Sequence, residues 1–284
     1  MPVYAELRPR GPYSLRLSTR LVGDATRRRS GGRLVVRLEN GELTSAAQRA
    51  DGTICARAES EHGVERLRFV LALDDDHSEF LQRFARDPLI GAATRHLRGL
   101  RPLRTPTVAH ALLRAVCGQL IQASRARAIE RTVIRALTPQ LAGTRLHAPP
   151  GCDSLGRSAP AELRRLGLGM RRAATLVRVC RSVDLERLRG LAGEASAERL
   201  LRERGLGPWS VGVVFLEGLG RYDRGLVADL GLVKLCSALR GRWVDGWETA
   251  ELLEPYGEWA GLASVYLLGA YSLGLVPLPR SAAA

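Results

Sequence analysis

Asp229 and the glycine-bracketed turn Gly205-Leu206-Gly207 are the residues of this 284-residue chain whose types and spacing could do chemistry together. A carboxylate can stabilise a developing positive charge or orient a water. A tight turn at the start of a helix exposes backbone N–H groups that suit a phosphate oxygen, and glycine lets backbone approach backbone closely. Apolar residues repeat at helical spacing on both sides of the turn: Ala197, Leu200 and Leu201 before it, and Val211, Val214, Phe215 and Leu219 after it. Pro208 suits the first position of the second helix, where its missing N–H would be unpaired anyway. The pattern predicts a helix-hairpin-helix over 194–219. A Gly-x-Gly between helices, taken alone, is weak evidence and fits an ordinary αα-corner better.

The elements that must position these residues fall into two parts. Residues 1–74 read as a β-rich lobe, with strands expected at Tyr4–Leu7, Tyr13–Leu17, Leu34–Leu38, Ile54–Ala58 and Leu67–Leu73, and with Asn40-Gly41 as a hairpin turn. The run Arg27-Arg28-Arg29-Ser30-Gly31-Gly32 reads as a basic loop, either a solvated turn or a phosphate contact. Asp74-Asp75-Asp76 ends the strand pattern and complements the dipole of the helix that follows. From there, 75–284 read as helical. Val108–Gln122 carries a dense apolar face and ends on Gly118-Gln119-Leu120-Ile121, with Ser124 capping the next helix. Helical periodicity makes Leu120 core and Gln119 a cap. Gln140–Ser158 reads as a Pro- and Gly-rich loop. Arg171 and Arg172 open a helix after a second Gly-x-Gly turn, where they either face solvent or reach phosphate. A last helix spans Tyr256–Tyr271.

Composition narrows the partner. The formal net charge is +14 with Lys234 as the only lysine, and an excess of this size favours nucleic acid over an acidic protein or a membrane surface. No apolar run reaches the roughly 18 residues of a membrane span, and the N-terminus has no signal-peptide core, so a cytoplasmic protein is expected. Cys55, Cys117, Cys152, Cys180 and Cys236 lack the close spacing of a zinc site or a disulfide framework.

Gly205-Leu206-Gly207-Pro208-Trp209-Ser210, then Gly218-Leu219-Gly220-Arg221, then Ala228-Asp229-Leu230-Gly231-Leu232, resemble in order and spacing the helix-hairpin-helix DNA glycosylase superfamily, and within it the bacterial 3-methyladenine DNA glycosylase II branch. The resemblance implies an α+β fold: a β-rich N-terminal lobe, then an all-α helix-hairpin-helix glycosylase core. It implies Asp229 as the catalytic carboxylate and Gly205, Leu206, Gly207 and Ser210 as a grip on the DNA backbone. Gln119 and Leu120 would enter the minor groove, Leu120 filling the gap left by an extruded nucleotide. Trp209 and Tyr266 map to base-pocket positions, each with core packing as its competing role. Arg171 and Arg172 fall on a helix that is basic in the family. Carbonyls near Leu201, Glu203 and Leu206 would hold a monovalent cation; no cofactor is required, and the C-terminal cysteine cluster that binds an iron–sulfur centre in some relatives is missing.

The implied partner is double-stranded DNA with a damaged base, bound by a monomer, and the implied activity is excision of alkylated purines in base excision repair. The branch that also nicks DNA has a lysine where Trp209 stands, so no lyase activity is expected. Gly257-Glu258 departs from the Arg-Ser usual in the family's last helix, which bears on damage specificity. The alternatives are a non-catalytic helix-hairpin-helix protein that binds DNA or recognises damage, and a glycosylase for oxidised or deaminated bases.

Overall fold

Residues 1–20, 22–119 and 121–278 are described by a computed structural model. The chain opens with β1 (Val3–Leu7), one turn of helix α1 (Leu15–Ser18), and strands β2 (Arg27–Ser30), β3 (Arg33–Arg37), β4 (Leu43–Gln48) and β5 (Ile54–Ala58). The strands form one antiparallel sheet in the order β1-β5-β4-β3-β2. Period-two alternation drives it: Leu34 and Val36 on β3 and Ala46 on β4 are fully buried, with Leu34 paired to Ala46. Asn40-Gly41 turns β3 into β4, with Gly41 at φ +91° and the Leu38 N–H donating to the Glu42 carbonyl at 2.9 Å. Helix α2 (Glu61–Val70) covers one face of the sheet with Val64, Leu67 and Val70, and its start is fixed by Ser60, whose hydroxyl accepts the Gly63 N–H. Fully burying a side chain such as Leu67 contributes about 1.5–3 kcal/mol.

Three expectations for this lobe need correction. Leu67–Leu73 is no strand; its first residues finish α2, because Val64, Leu67, Val70 and Leu71 share a helical face once Ser60 caps it. Tyr13–Leu17 is broken by Ser14, which caps α1 by accepting the Leu17 N–H. The arginine run is strand β2 rather than a loop, and its first member, Arg27, is buried against Asp24 at 2.7 Å.

The rest of the chain is helical: α3 (Ser78–Arg83), α4 (Gly91–His96), α5 (Val108–Gly118), α6 (Ala123–Leu137), α7 (Cys152–Arg157), α8 (Pro160–Arg165), α9 (Met170–Ser182), α10 (Gly193–Leu201), α11 (Pro208–Val213), α12 (Leu230–Arg240), α13 (Thr249–Leu253) and α14 (Ala260–Ser272). Helix α7 interrupts the expected loop 140–158. Helix α6 begins one residue before Ser124, with Gln122 at the N-cap and no side-chain cap bond. The last helix starts at Ala260, after an irregular turn at Gly257. Helix α5 lies at the centre of this half, with Leu112, Leu113 and Val116 completely buried.

Buried polar contacts join the two cores. Arg101, fully buried, donates to the carbonyls of Ala72 at 2.5 Å, Pro12 at 3.1 Å and Arg10. Asp75 takes Arg104 at 2.5 Å and the Tyr222 hydroxyl, so the acidic triplet does more than face a helix dipole. Asp24, in the loop before β2, reaches Arg114 on α5 at 2.7 Å.

Candidate active site and DNA-binding hairpin

Helices α10 and α11 form the expected hairpin. Gly205 adopts φ +91°, and a Cβ there would lie 2.5 Å from Thr175 Oγ1, so both conformation and space call for glycine. Gly207 is different: it is an extended N-cap at φ −116° with nothing within 4 Å of an added Cβ. Leu206 is buried between them. After α11 the backbone widens into a π-helical turn, Val214–Leu219.

Several residues expected on DNA are instead turned inward. Gln119 donates its amide to the Gly205 carbonyl at 2.9 Å and the Ser210 hydroxyl at 3.0 Å, so it braces the hairpin. Ser210 is 2% exposed and cannot meet a phosphate through its side chain. Arg172 donates to the Gln119 carbonyl at 3.1 Å and the Cys117 carbonyl at 3.4 Å, holding the end of α5. Arg171 is exposed and makes no ion pair among the described residues. Leu120 lies outside the described residues. Around the turn, the Glu203 carbonyl accepts the Leu206 N–H at 3.0 Å, which leaves it a second lone pair. Arg178 donates to the Arg204 carbonyl, and Arg199 pairs with Glu203 at 2.7 Å, so positive charge already surrounds the hairpin.

Asp229 is the N-cap of α12. One carboxylate oxygen, Oδ1, accepts the Gly231 N–H at 2.8 Å, and the other, Oδ2, accepts the indole N–H of Trp209 at 3.0 Å. Ala228 just before it sits at φ +68°, secured by its N–H to Thr249 Oγ1 at 2.7 Å. Trp209 needs room, and Gly118 supplies it: a Cβ at 118 would lie 2.5 Å from the indole Cη2. The hairpin, the end of α5 and the acid are therefore one mechanical unit. Trp209 was expected to line a base pocket, and its polar edge is instead committed to the acid. Lys234 is exposed on α12 and makes no ion pair among the described residues.

Tyr266 is not in a pocket. It is fully buried, its ring 5.0 Å from that of Phe80 and its hydroxyl donating to the carbonyls of Leu97 at 3.1 Å and Leu100 at 3.4 Å. Burial of the ring and satisfaction of the hydroxyl together make it a core residue.

One cavity was not legible in the sequence, and it approaches the acid through Leu226 and Leu268 without Asp229 itself lining it. It holds about 660 Å³ between the two lobes. Leu226 and Leu268 line it on the Asp229 side: the Leu226 carbonyl accepts the Asp229 N–H at 3.0 Å, and Leu268 packs where a side chain at Gly231 would go. Arg114, Glu217, Asp24 and Glu130 form another part of its wall, and no aromatic side chain among the described residues lines it. Arg114 donates to Glu130 Oε1 from Nε at 3.0 Å and Nη2 at 2.9 Å, to Asp24 Oδ2 from Nη2 at 2.7 Å, and to Glu217 from Nη1. His110 Nε2 lies 2.8 Å from Glu130. Burial works to raise the Asp24 carboxyl, but Arg27, His110, Arg114 and the Thr26 hydroxyl outweigh it and hold it well below the usual carboxylate range. Arg114 and His110 likewise lower Glu130 against its burial. Asp24, His110 and Glu130 bring ligand-type atoms within 4.8 Å of one another, yet Arg27 and Arg114 already supply the positive charge, so the cluster is an ion-pair network. The signal in the sequence was a charged residue inside each of two apolar helical runs, Arg114 in ALLRAV and Glu217 in VFLEGL.

Hairpin, brace and N-cap acid define a helix-hairpin-helix protein whose hairpin holds a carboxylate in place. No protein-family model matches the chain. The DNA-3-methyladenine glycosylase of Bacillus subtilis is 24% identical over 204 residues, covering 69% of this chain and 67% of that one. Among solved structures, the 3-methyladenine DNA-glycosylase from Archaeoglobus fulgidus matches with a TM-score of 0.81 at 18% identity, over 95% of this chain and 98% of its own. The 8-oxoguanine glycosylase/lyase of Clostridium acetobutylicum, in complex with double-stranded DNA, matches with a TM-score of 0.78 at 17% identity, over 96% and 98%. The fold is theirs, and in sequence as in fold the chain is similar to helix-hairpin-helix DNA glycosylases.

Proposed function

We propose that the protein is a monofunctional DNA glycosylase that extrudes damaged purines, alkylated ones foremost, and hydrolyses their N-glycosidic bond. The observation that carries this is the Asp229 carboxylate held between the Gly231 N–H and the Trp209 indole. As the base leaves, the sugar takes on oxocarbenium character, and a fixed carboxylate stabilises that charge without having to reorganise. Trp209 stands one residue into the second hairpin helix, where a lysine would be needed for Schiff-base chemistry. An indole can only position the acid.

Backbone N–H groups at the hairpin grip a phosphate, Arg171 and the net charge of +14 add sequence-independent attraction, and Leu120 fills the gap in the duplex. The carbonyls of Leu201, Glu203 and Leu206 would hold a monovalent cation, whose charge would strengthen that grip. The cavity beside Asp229 receives the extruded base. Its wall carries five guanidinium groups (Arg20, Arg27, Arg101, Arg114, Arg127) and three carboxylates (Asp24, Glu130, Glu217), and the accessible Glu217 is the group that suits a purine made cationic by alkylation. A second reading, an oxidised or deaminated purine held by hydrogen bonds, is favoured by the absence of aromatic lining among the described residues.

The test is base release from duplexes carrying 3-methyladenine, 7-methylguanine, hypoxanthine, 8-oxoguanine or uracil, comparing wild type with Asp229→Asn. Purine release by the wild type that Asp229→Asn abolishes is the expected result, with no borohydride-trapped adduct. Tight binding without release would make the protein a damage-recognition module; efficient trapping would make it a lyase.

A further inference from the structure

Resting on that reading, we propose that Glu217 and Arg114 read the position-1/position-6 edge of the extruded purine, so that the substrates are purines damaged elsewhere with this edge left free. Both side chains line the cavity, where Arg20 and Arg127 are its other accessible charged groups, and they form an ion pair 24% and 22% exposed, whereas Asp24 and Glu130 behind them are 4% and 1% exposed. A guanidinium has five N–H donors. Arg114 spends Nε on Glu130, both Nη2 protons on Asp24 and Glu130, and one Nη1 proton on Glu217, which leaves a single Nη1 donor. Glu217 accepts Arg114 through Oε2 and has no donor on Oε1 among the described residues. At this ion pair the wall therefore presents one open donor beside one open acceptor, locked in place by the buried carboxylates.

Asp229 fixes which way the base enters. The sugar carbon must sit by the carboxylate, next to Leu226 and Leu268, with the purine reaching into the cavity from there. In a purine the atoms farthest from the glycosidic nitrogen are those of the six-membered ring around positions 1 and 6. These meet the Arg114–Glu217 pair. A 6-oxopurine offers a carbonyl to Arg114 and an N1–H to Glu217; an adenine-type base offers N1 and its amino group in the reverse order. A base with that edge blocked leaves a buried donor and acceptor unpaired, the circumstance under which a polar site rejects an analogue most strongly.

The experiment compares single-turnover release of hypoxanthine and 1-methylhypoxanthine, and of 7-methylguanine and 1,7-dimethylguanine, by the wild-type protein, so that no variant has to fold and the bases of each pair differ only at position 1. Release of the edge-free base of each pair at least about a hundredfold faster is expected. Glu217→Leu, with its melting temperature and DNA affinity measured alongside, should bring each pair to within about tenfold by slowing the edge-free base. Equal release within each pair by wild type would overturn the edge reading while leaving the glycosylase reading intact. A full preference retained in a folded Glu217→Leu protein would also overturn it. Release of none of the four bases, nor of 3-methyladenine, would sink the glycosylase reading and this inference together.

Discussion

Trp209→Phe keeps the ring and removes one donor. The indole N–H to Asp229 Oδ2 at 3.0 Å is a hydrogen bond to a charged group, worth about 1.5–3 kcal/mol. Without it the carboxylate keeps only the Gly231 N–H and can rotate away from the sugar. Were the whole bond expressed in the transition state, single-turnover release would fall between about ten- and hundredfold, with DNA affinity nearly unchanged. Gly118→Ala should reproduce the loss from a distance, because its Cβ would lie 2.5 Å from the indole Cη2 and force the ring off Asp229. If both act through one bond, the double variant will be no slower than the slower single one, a non-additivity of about 1.5–3 kcal/mol. The assay is single-turnover release from a 7-methylguanine duplex, with the dissociation constant measured separately. Wild-type release by Trp209→Phe, or additive losses in the double variant, would refute the coupling of hairpin and acid.

Other consequences are as direct. Gly205→Ala forces a side chain into φ +91° against Thr175, so it should cost at least about 1–2 kcal/mol in thermal stability and weaken DNA binding; Gly207→Ala, with open space around it, should do neither. Arg171→Ala should reduce the slope of log affinity against log salt by about one, without altering which bases are released. His77, with both ring nitrogens unpaired, has its pKa lowered from 6.5 to about 4 by burial and then by the charge of Arg101. The unfolded chain therefore takes up a proton that the folded one refuses, so stability falls as pH drops from about 6.5 to about 4, by about 3 kcal/mol in all. His77→Phe should remove that component in urea titrations. The depressed carboxyls of Asp24 and Glu130 have the usual acid sign: their contribution is present above about pH 4 and is lost only below it.

What sequence could convey divides along the range of the interactions. The hairpin was legible because two apolar periodicities and a Gly-x-Gly turn are local signals, and Asp229 because its position relative to that turn is fixed. Asn40-Gly41 and strand β5 were read correctly for the same reason. Leu67–Leu73 was misread because a short apolar run suits a strand as well as a helix, and only the Ser60 cap decides. Arg27 was misread because its partners, Asp24 and the Arg104 carbonyl at 2.8 Å, are tertiary. Tyr266 shares a helix with Val265 and Leu268, which do line the cavity, and a family position could not say which face of that helix turns inward. Arg172, Ser210 and Gln119 have the composition of DNA contacts, and it takes coordinates to find them bonded to the protein itself.

The π-helical turn at Val214–Leu219 is a one-residue surplus in an otherwise regular helix, and it carries Glu217. An α-helix turns by about 100° per residue, so deleting a single position there would wind the segment back to regular pitch and turn the residues inside it, Glu217 among them, by up to that angle while the flanking turns keep their faces. The Glu217 carbonyl, which accepts the Thr105 N–H at 2.7 Å, would lose its seat, and the carboxylate would leave the cavity. A protein of this architecture could thus lose the accessible carboxylate of its pocket wall by losing one codon, with hairpin and acid untouched. Damage preference can then diverge between related sequences much faster than overall similarity would suggest.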